Sequence, residues 1–236
     1  MAGYLLLAGG AEFGGLMAQP DRRALELAGG PAAPVSIIPT AAAPDHNDQR
    51  AGSNGARWFR GLGASNVSVI PVIDGASAND STLTEQMRQS RLVYLLGCFT
   101  GYLGETLKGS LCWQAALEAY ADGAVLAGSS AGAMVLCQYY FDPAHQQVVE
   151  GLNLLPNTCV LPHHNTFGQR WAHQISALLP DVTLLGIDER TGLLDDGPGE
   201  RKVSWCVYGQ GAVTIYRNGK PIVYAAGQRF EDTFLP

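Results

Sequence analysis

Residues 124–138 read Ala124-Val-Leu-Ala-Gly128-Ser-Ser130-Ala-Gly132-Ala-Met-Val-Leu-Cys-Gln138. A short apolar run of strand character passes through Gly128-Ser129-Ser130-Ala131-Gly132 into a run of helical character. The spacing therefore predicts a strand over 124–127, a sharp turn and a helix over 131–138. Gly-x-Ser-x-Gly at such a junction pushes the central side chain out of strained backbone, and the flanking glycines avoid collisions that a Cβ would cause. The start of the helix leaves N–H groups free to face a developing oxyanion. The bland reading is an ordinary Gly/Ser-rich turn. The strand before it and the helix after it favour Ser130 as a nucleophile, with the off-centre Ser129 the weaker candidate.

The same alternation extends upstream. Strands are expected at Tyr4–Ala8, Val35–Ile38, Val67–Ile73 and Leu92–Leu96, and helices at 21–28, 47–62, 82–89 and 103–121. This βαβ rhythm predicts a doubly wound, mostly parallel α/β sheet with flanking helices and with functional loops at the strand C-termini. Downstream, Thr158–Leu161 and Thr183–Ile187 flank a helix expected over Gln169–Leu178. Val203–Tyr208, Ala212–Tyr216 and Pro221–Ala225 are separated by Gly209-Gln-Gly211 and Arg217-Asn-Gly-Lys220, turn signals that predict a C-terminal antiparallel meander closing one side. With no repeat, linker or low-complexity segment, the 236 residues are expected to form a single domain over 1–236.

Composition narrows the function. Hydrophobic residues make up 47% and charged residues 15%, enough for a large core and too little charge for a disordered chain. The net charge of −6, with no Lys/Arg run, argues against nucleic acid as a partner. The apolar run 4–8 is too short for a signal h-region or a membrane span. Five cysteines at 98, 112, 137, 159 and 206 give no pairing framework, so reduced thiols in the cytoplasm are expected.

A serine nucleophile needs a base. Of the five histidines, His46 and His145 fall in loops and His173 on a helix expected to be solvated. His163 and His164 follow a predicted strand, and neighbours in extended chain point opposite ways, so at most one faces Ser130. Asp188-Glu189 ends the next apolar run and offers either a solvated turn or a carboxylate that orients the histidine. The residues alone leave these choices open.

Gly128-Ser-Ser-Ala-Gly-Ala133 resembles the nucleophile segment of the cyanophycinase and dipeptidase E family of serine peptidases, whose fold is class I glutamine amidotransferase-like. Pro162-His163-His164 is similar to the family's histidine segment and selects His163. Gly186-Ile-Asp-Glu189 resembles the cyanophycinase-branch segment whose last glutamate completes the triad. Tyr94-Leu-Leu-Gly97-Cys98 is similar to the strand ending in Gly-Gly whose backbone helps to form the oxyanion hole. The likeness runs from Gly9-Gly10-Ala-Glu-Phe13 to the final hairpins. It implies a hydrolase of small peptides or isopeptides without a cofactor, with Ser130, His163 and Glu189 catalytic and with Gly97, Cys98 and Ala131 backbone at the oxyanion. Thr40, Thr100, His164 and Arg170 are further substrate-binding candidates, and a homodimer is left open. Cys98 departs from the family's usual glycine. The closely spaced arginines that follow the histidine in cyanophycinase are replaced by Arg170 alone, which argues against cyanophycin as substrate.

Four other readings compete with this one. Cys98 as a nucleophile would make an amidotransferase-like enzyme, but no Gly-x-Cys-x-Gly surrounds it. A scaffold that kept the turn but lost activity would be a binding or sensor protein. The glycines at 9, 10, 14 and 15 lack dinucleotide-site spacing, and no metal-ligand cluster stands out.

Overall fold

The computed structural model describes residues 3–143, 145–196, 204–217 and 220–231. Among these residues, fourteen strands divide between two sheets. The eight-stranded sheet has a parallel centre of β1 (Tyr4–Ala8), β5 (Val125–Ser129), β4 (Leu92–Leu95), β2 (Val35–Ile38) and β3 (Val67–Val69). Antiparallel strands β10 (Thr191–Asp195), β11 (Ser204–Gly209) and β14 (Arg229–Glu231) extend its β1 edge. Period-two alternation packs both faces. Leu6, Tyr94 and Ala127 face α1 (Ala18–Leu27) and α2 (Asp48–Gly61), where Ala24 and Phe59 sit. Leu5, Leu7, Val93 and Leu126 face the opposite cluster.

The second sheet was not anticipated. Its order is β13 (Lys220–Ala225), β12 (Ala212–Arg217), β9 (Thr183–Ile187), β8 (Leu155–Leu161), β6 (Cys137–Asp142) and β7 (Gln147–Glu150). Val160, Leu185, Ile187 and Val213 join the same core as Leu5 and Leu126, so the two sheets share one apolar interior. The expected meander is therefore split: β11 lies in the first sheet and the β12–β13 hairpin in the second. Residues Val203, Asn218 and Gly219 of that reading lie outside the described residues.

Two helices differ from expectation. The stretch 103–121 forms α4 (Thr100–Leu107) and α5 (Leu111–Ala121), with α3 (Ser81–Arg88) before them. Gly109 takes φ +74°, and the Ser110 side chain caps α5 by accepting from the Trp113 N–H at 3.1 Å. A left-handed glycine followed by an N-cap ends one helix and begins another. The helix after Ser130, α6, spans only Ala131–Leu136, because the chain turns at Cys137 to pair as β6 with β8. Helix α7 runs over Gln169–Leu178, as the apolar periodicity predicts.

Candidate active site

At the C-terminal end of β5, Ser130 holds φ 49° and ψ −112°. Non-glycine residues avoid such backbone at a cost of about 1–3 kcal/mol. The surroundings impose it: the Ser130 N–H donates to the Ala8 carbonyl at 3.0 Å, and its own carbonyl accepts from Met134 N–H at 3.0 Å. A Cβ at Gly128 would overlap the Gly132 carbonyl, and one at Gly132 would overlap the Leu95 carbonyl. Both glycines of the motif are therefore steric requirements of the turn.

His163 arrives from the other sheet, just after β8. Its imidazole Nδ1 lies 2.8 Å from the Glu189 Oε1, and its Nε2 lies 3.0 Å from the Ser130 Oγ. An ionised carboxylate only accepts, so Nδ1 carries the proton and Nε2 is left to accept from the serine hydroxyl. Glu189 follows β9, which runs parallel to β8, so both side chains leave neighbouring strand ends. Phe167 stacks on the His163 ring with centroids 4.8 Å apart.

The two histidines do diverge, though not through extended chain. His163 is left-handed, with φ 49° and ψ 39°, and His164–Gly168 is a π-helical turn. His164 is buried, with its Nε2 2.8 Å from the Tyr216 hydroxyl and its Nδ1 3.5 Å from the Asp188 Oδ1. Burial lowers its pKa, against the opposing pull of Asp188. Asp188 also accepts from the Ala212 N–H at 2.9 Å, and so serves His164 and β12 instead of His163.

The Gly9-Gly10 loop, which sequence reading left without a role in the chemistry, seats the histidine. Gly9 carbonyl accepts from the His163 N–H at 2.7 Å, Gly10 carbonyl accepts from the Arg190 N–H at 3.0 Å, and Gly9 N–H donates to the Thr191 carbonyl at 3.0 Å. Gly10 has φ +108°, and a Cβ there would enter the His163 ring. The glycine pair after the first strand was the signal for this seat.

Gly97, Cys98, Ser130 and His163 line a cleft of about 990 Å³ that extends along the α2 face bearing Ala51, Asn54 and Trp58. A Cβ on Gly97 would lie 3.1 Å from the Ser130 Cβ, which puts the Gly97 backbone against the Ser130 side chain. Among the described residues, the N–H groups of Gly97, Cys98 and Ala131 donate to no protein acceptor. Cys98 is exposed and holds φ 134°, a glycine-like conformation. Burial, then Asp45 and Glu12, push its thiol pKa up, the opposite of thiolate activation.

None of the four further substrate-binding candidates is among the residues that line this cleft. Thr40 is buried and its hydroxyl donates to the Val72 carbonyl at 2.6 Å. Thr100 is half-buried at the start of α4, with its hydroxyl 3.7 Å from the Met134 sulfur. His164 is held by Tyr216 and Asp188, as above. Arg170 is exposed on α7. Sequence reasoning missed Glu12, Phe13, Arg22 and Arg57, which do line it. No group of three or more potential metal ligands occurs among the described residues, and no described helix is long and apolar enough to cross a membrane.

The model of peptidase family S51 matches residues 5–201. Among solved structures, a peptidase from an acI-B1 actinobacterium superposes with a TM-score of 0.86 at 28% identity, covering 98% of each chain. A candidate peptidase E protein from Listeria monocytogenes EGD-e superposes with a TM-score of 0.60 at 18% identity, covering 96% of this chain and 100% of its own. The latter likeness concerns the fold alone. A comparison with curated proteins returns no match.

Proposed function

The chain belongs to peptidase family S51 and is a serine peptidase, and from that premise we propose that Ser130, His163 and Glu189 form its catalytic triad and that it cleaves small peptides or isopeptides. The reading rests on one observation, the unbroken hydrogen-bond path Ser130–His163–Glu189 at 3.0 and 2.8 Å, beginning at a strained strand-to-helix turn.

In this mechanism the Ser130 Oγ attacks the scissile carbonyl carbon while its proton passes to His163 Nε2. Glu189 keeps the imidazole in the Nδ1–H tautomer and stabilises the imidazolium that forms. The negative oxygen of the tetrahedral intermediate is met by the N–H of Ala131 and that of Gly97 or Cys98. Oxyanion donors of this kind are worth about 3–4 kcal/mol each in transition-state stabilisation. The C–N bond then breaks as Nε2 returns the proton to the leaving amine. Water repeats the sequence on the acyl-enzyme, with the serine as leaving group. None of these steps calls for a cofactor.

The five cysteines are all free, in keeping with a reducing cytoplasmic setting. The test of the substrate class is a library of dipeptides that includes α- and β-aspartyl peptides. Turnover of any member by the wild type and its loss in Ser130→Ala would support the reading. Equal turnover by both proteins would refute it.

A further inference from the structure

The rings of Phe167 and His163 stack with centroids 4.8 Å apart and planes inclined by 22°, yet Phe167 is 43% exposed. A phenylalanine left that far in water forgoes much of its burial energy, so core packing does not account for its place. The π-helical turn His164–Gly168 puts it there. The N–H groups of Thr166, Phe167 and Gly168 donate to the His163 carbonyl at 3.0, 3.1 and 3.0 Å, and the Thr166 hydroxyl donates to it at 2.9 Å. Residues four apart on a helical turn share a face, which sets the Phe167 ring against the His163 ring. A Cβ at Gly168 would overlap the Pro162 carbonyl, so glycine is what lets the turn close. The same turn supplies Asn165, whose Oδ1 accepts from the Glu189 N–H at 2.9 Å.

The Phe167 ring is braced from behind. Trp171 meets it in a T-shaped contact with centroids 5.4 Å apart, and Phe141, fully buried on β6, meets Trp171 at 5.5 Å. A chain of aromatic rings therefore runs from the core of the second sheet to the histidine. Around the imidazole, Glu189 takes Nδ1, Ser130 takes Nε2 and Phe167 covers a face. The His163 side chain is 20% exposed, so little water is left to solvate a charge on it. An aromatic face carries negative potential and attracts a cation within about 6 Å of its centroid. Neutral imidazole gains little from that face and imidazolium gains more, and an interaction that strengthens in the transition state accelerates the reaction.

We propose that Phe167 is a positioning residue that acts through His163: its ring face holds the imidazolium that forms as Ser130 gives up its proton. This inference rests on the Ser130–His163–Glu189 reading. Glu189 meets the developing charge along the edge of the imidazole and Phe167 meets it across the face, so the two act on one cation from different directions. Phe167 is not among the residues that line the cleft, which fits a role exerted through the base.

The test replaces Phe167 with 4-fluoro-, 3,5-difluoro- and 3,4,5-trifluorophenylalanine, which draw electron density off the ring face while nearly keeping its shape. Phe167→Leu removes the face altogether. The readout is the rate at which a neutral alkyl fluorophosphonate labels Ser130, followed by mass spectrometry. In that reaction the Oγ–P bond forms, the P–F bond breaks with loss of fluoride, and His163 Nε2 takes the hydroxyl proton, so no peptide substrate needs to be known. The rate is expected to fall with each added fluorine, reaching about 5- to 30-fold below the wild type for the trifluoro ring and for Phe167→Leu. A rate that stays within about twofold across the fluorine series would overturn the proposal, whatever Phe167→Leu does, because packing alone would then be at stake. Wild-type labelling in Phe167→Leu would overturn it as well. Labelling that persists in Ser130→Ala would instead overturn the nucleophile assignment beneath it.

Discussion

The Nε2 of His163 and the Oγ of Ser130 lie 3.0 Å apart although the two residues end strands of different sheets. Ser130 closes β5 of the eight-stranded sheet, and His163 follows β8 of the six-stranded one. The Gly9 carbonyl, in the loop after β1, holds the His163 backbone, and β1 pairs with β5 along its whole length. The contact between the two side chains thus depends on how the sheets dock.

Removing the proposed nucleophile should separate the two adjacent serines. Ser130→Ala is expected to abolish labelling by a fluorophosphonate and to lower kcat by about 10⁴-fold or more. Ser129→Ala deletes only the hydroxyl that steadies Glu12, so labelling should persist, with turnover falling by about tenfold. Full labelling of Ser130→Ala would show the motif to be misread.

Along the hydrogen-bond path, the ring is expected to matter more than its carboxylate. His163→Ala should lower kcat/KM by about 10⁴-fold or more, and Glu189→Gln by a smaller factor of about 10²–10³. His164→Ala should leave kcat/KM of the folded enzyme nearly intact while lowering stability by about 2–3 kcal/mol, since a buried ring bonded to Tyr216 is lost. Urea unfolding and steady-state kinetics on the three variants test the order. A larger defect in His164→Ala than in His163→Ala would reverse the assignment.

Cys98 occupies a backbone conformation that glycine adopts without strain. Cys98→Gly should therefore retain at least about half of the activity and raise stability by about 1 kcal/mol, relief of strain being partly offset by the greater freedom of glycine in the unfolded chain. Cys98→Ser should also remain active, because only backbone N–H is asked to act there. Inactivity of both variants would point to the thiol.

Asp21 is fully buried, and its Oδ2 accepts from the Trp58 indole N–H at 2.7 Å. Burial raises its pKa to about 7; the Trp58 hydrogen bond opposes the shift and the Glu12 charge adds to it. The folded protein then holds a proton that the unfolded chain releases near pH 3.8. Stability from this group is complete below that value, declines as pH rises toward about 7, and is lost above it. Asp21→Asn keeps an acceptor for Trp58 and has no charge to bury. Thermal unfolding at pH 5 and pH 8 should show a smaller drop in Tm for the variant, and a higher Tm than the wild type at pH 8. An unchanged drop would mean that Asp21 ionises normally in the fold.

What the sequence determined on its own was local. Gly128-x-Ser130-x-Gly132 specifies its turn because the clashes that forbid other residues lie within a few positions or on the adjacent strand. The apolar runs of β1, β2, β4 and β9 were legible through their length and residue type, and α7 through its periodicity. The residues of Pro162-His163-His164 and Asp188-Glu189 left the choice within each pair open, and only the resemblance to a known family selected His163 and Glu189, which meet at 2.8 Å. Tertiary structure alone decided that those residues belong to a second sheet, because strand pairing joins segments far apart in the chain and leaves no mark in either segment's pattern. It also decided which polar side chains face the cleft. Thr40 and Glu12 both follow strands, yet Thr40 turns inward to the Val72 carbonyl while Glu12 is fixed toward the cleft by a buried serine 117 residues away. Side-chain direction after a strand depends on which neighbour completes the hydrogen bond, and that neighbour is present only once strands far apart in the chain have paired.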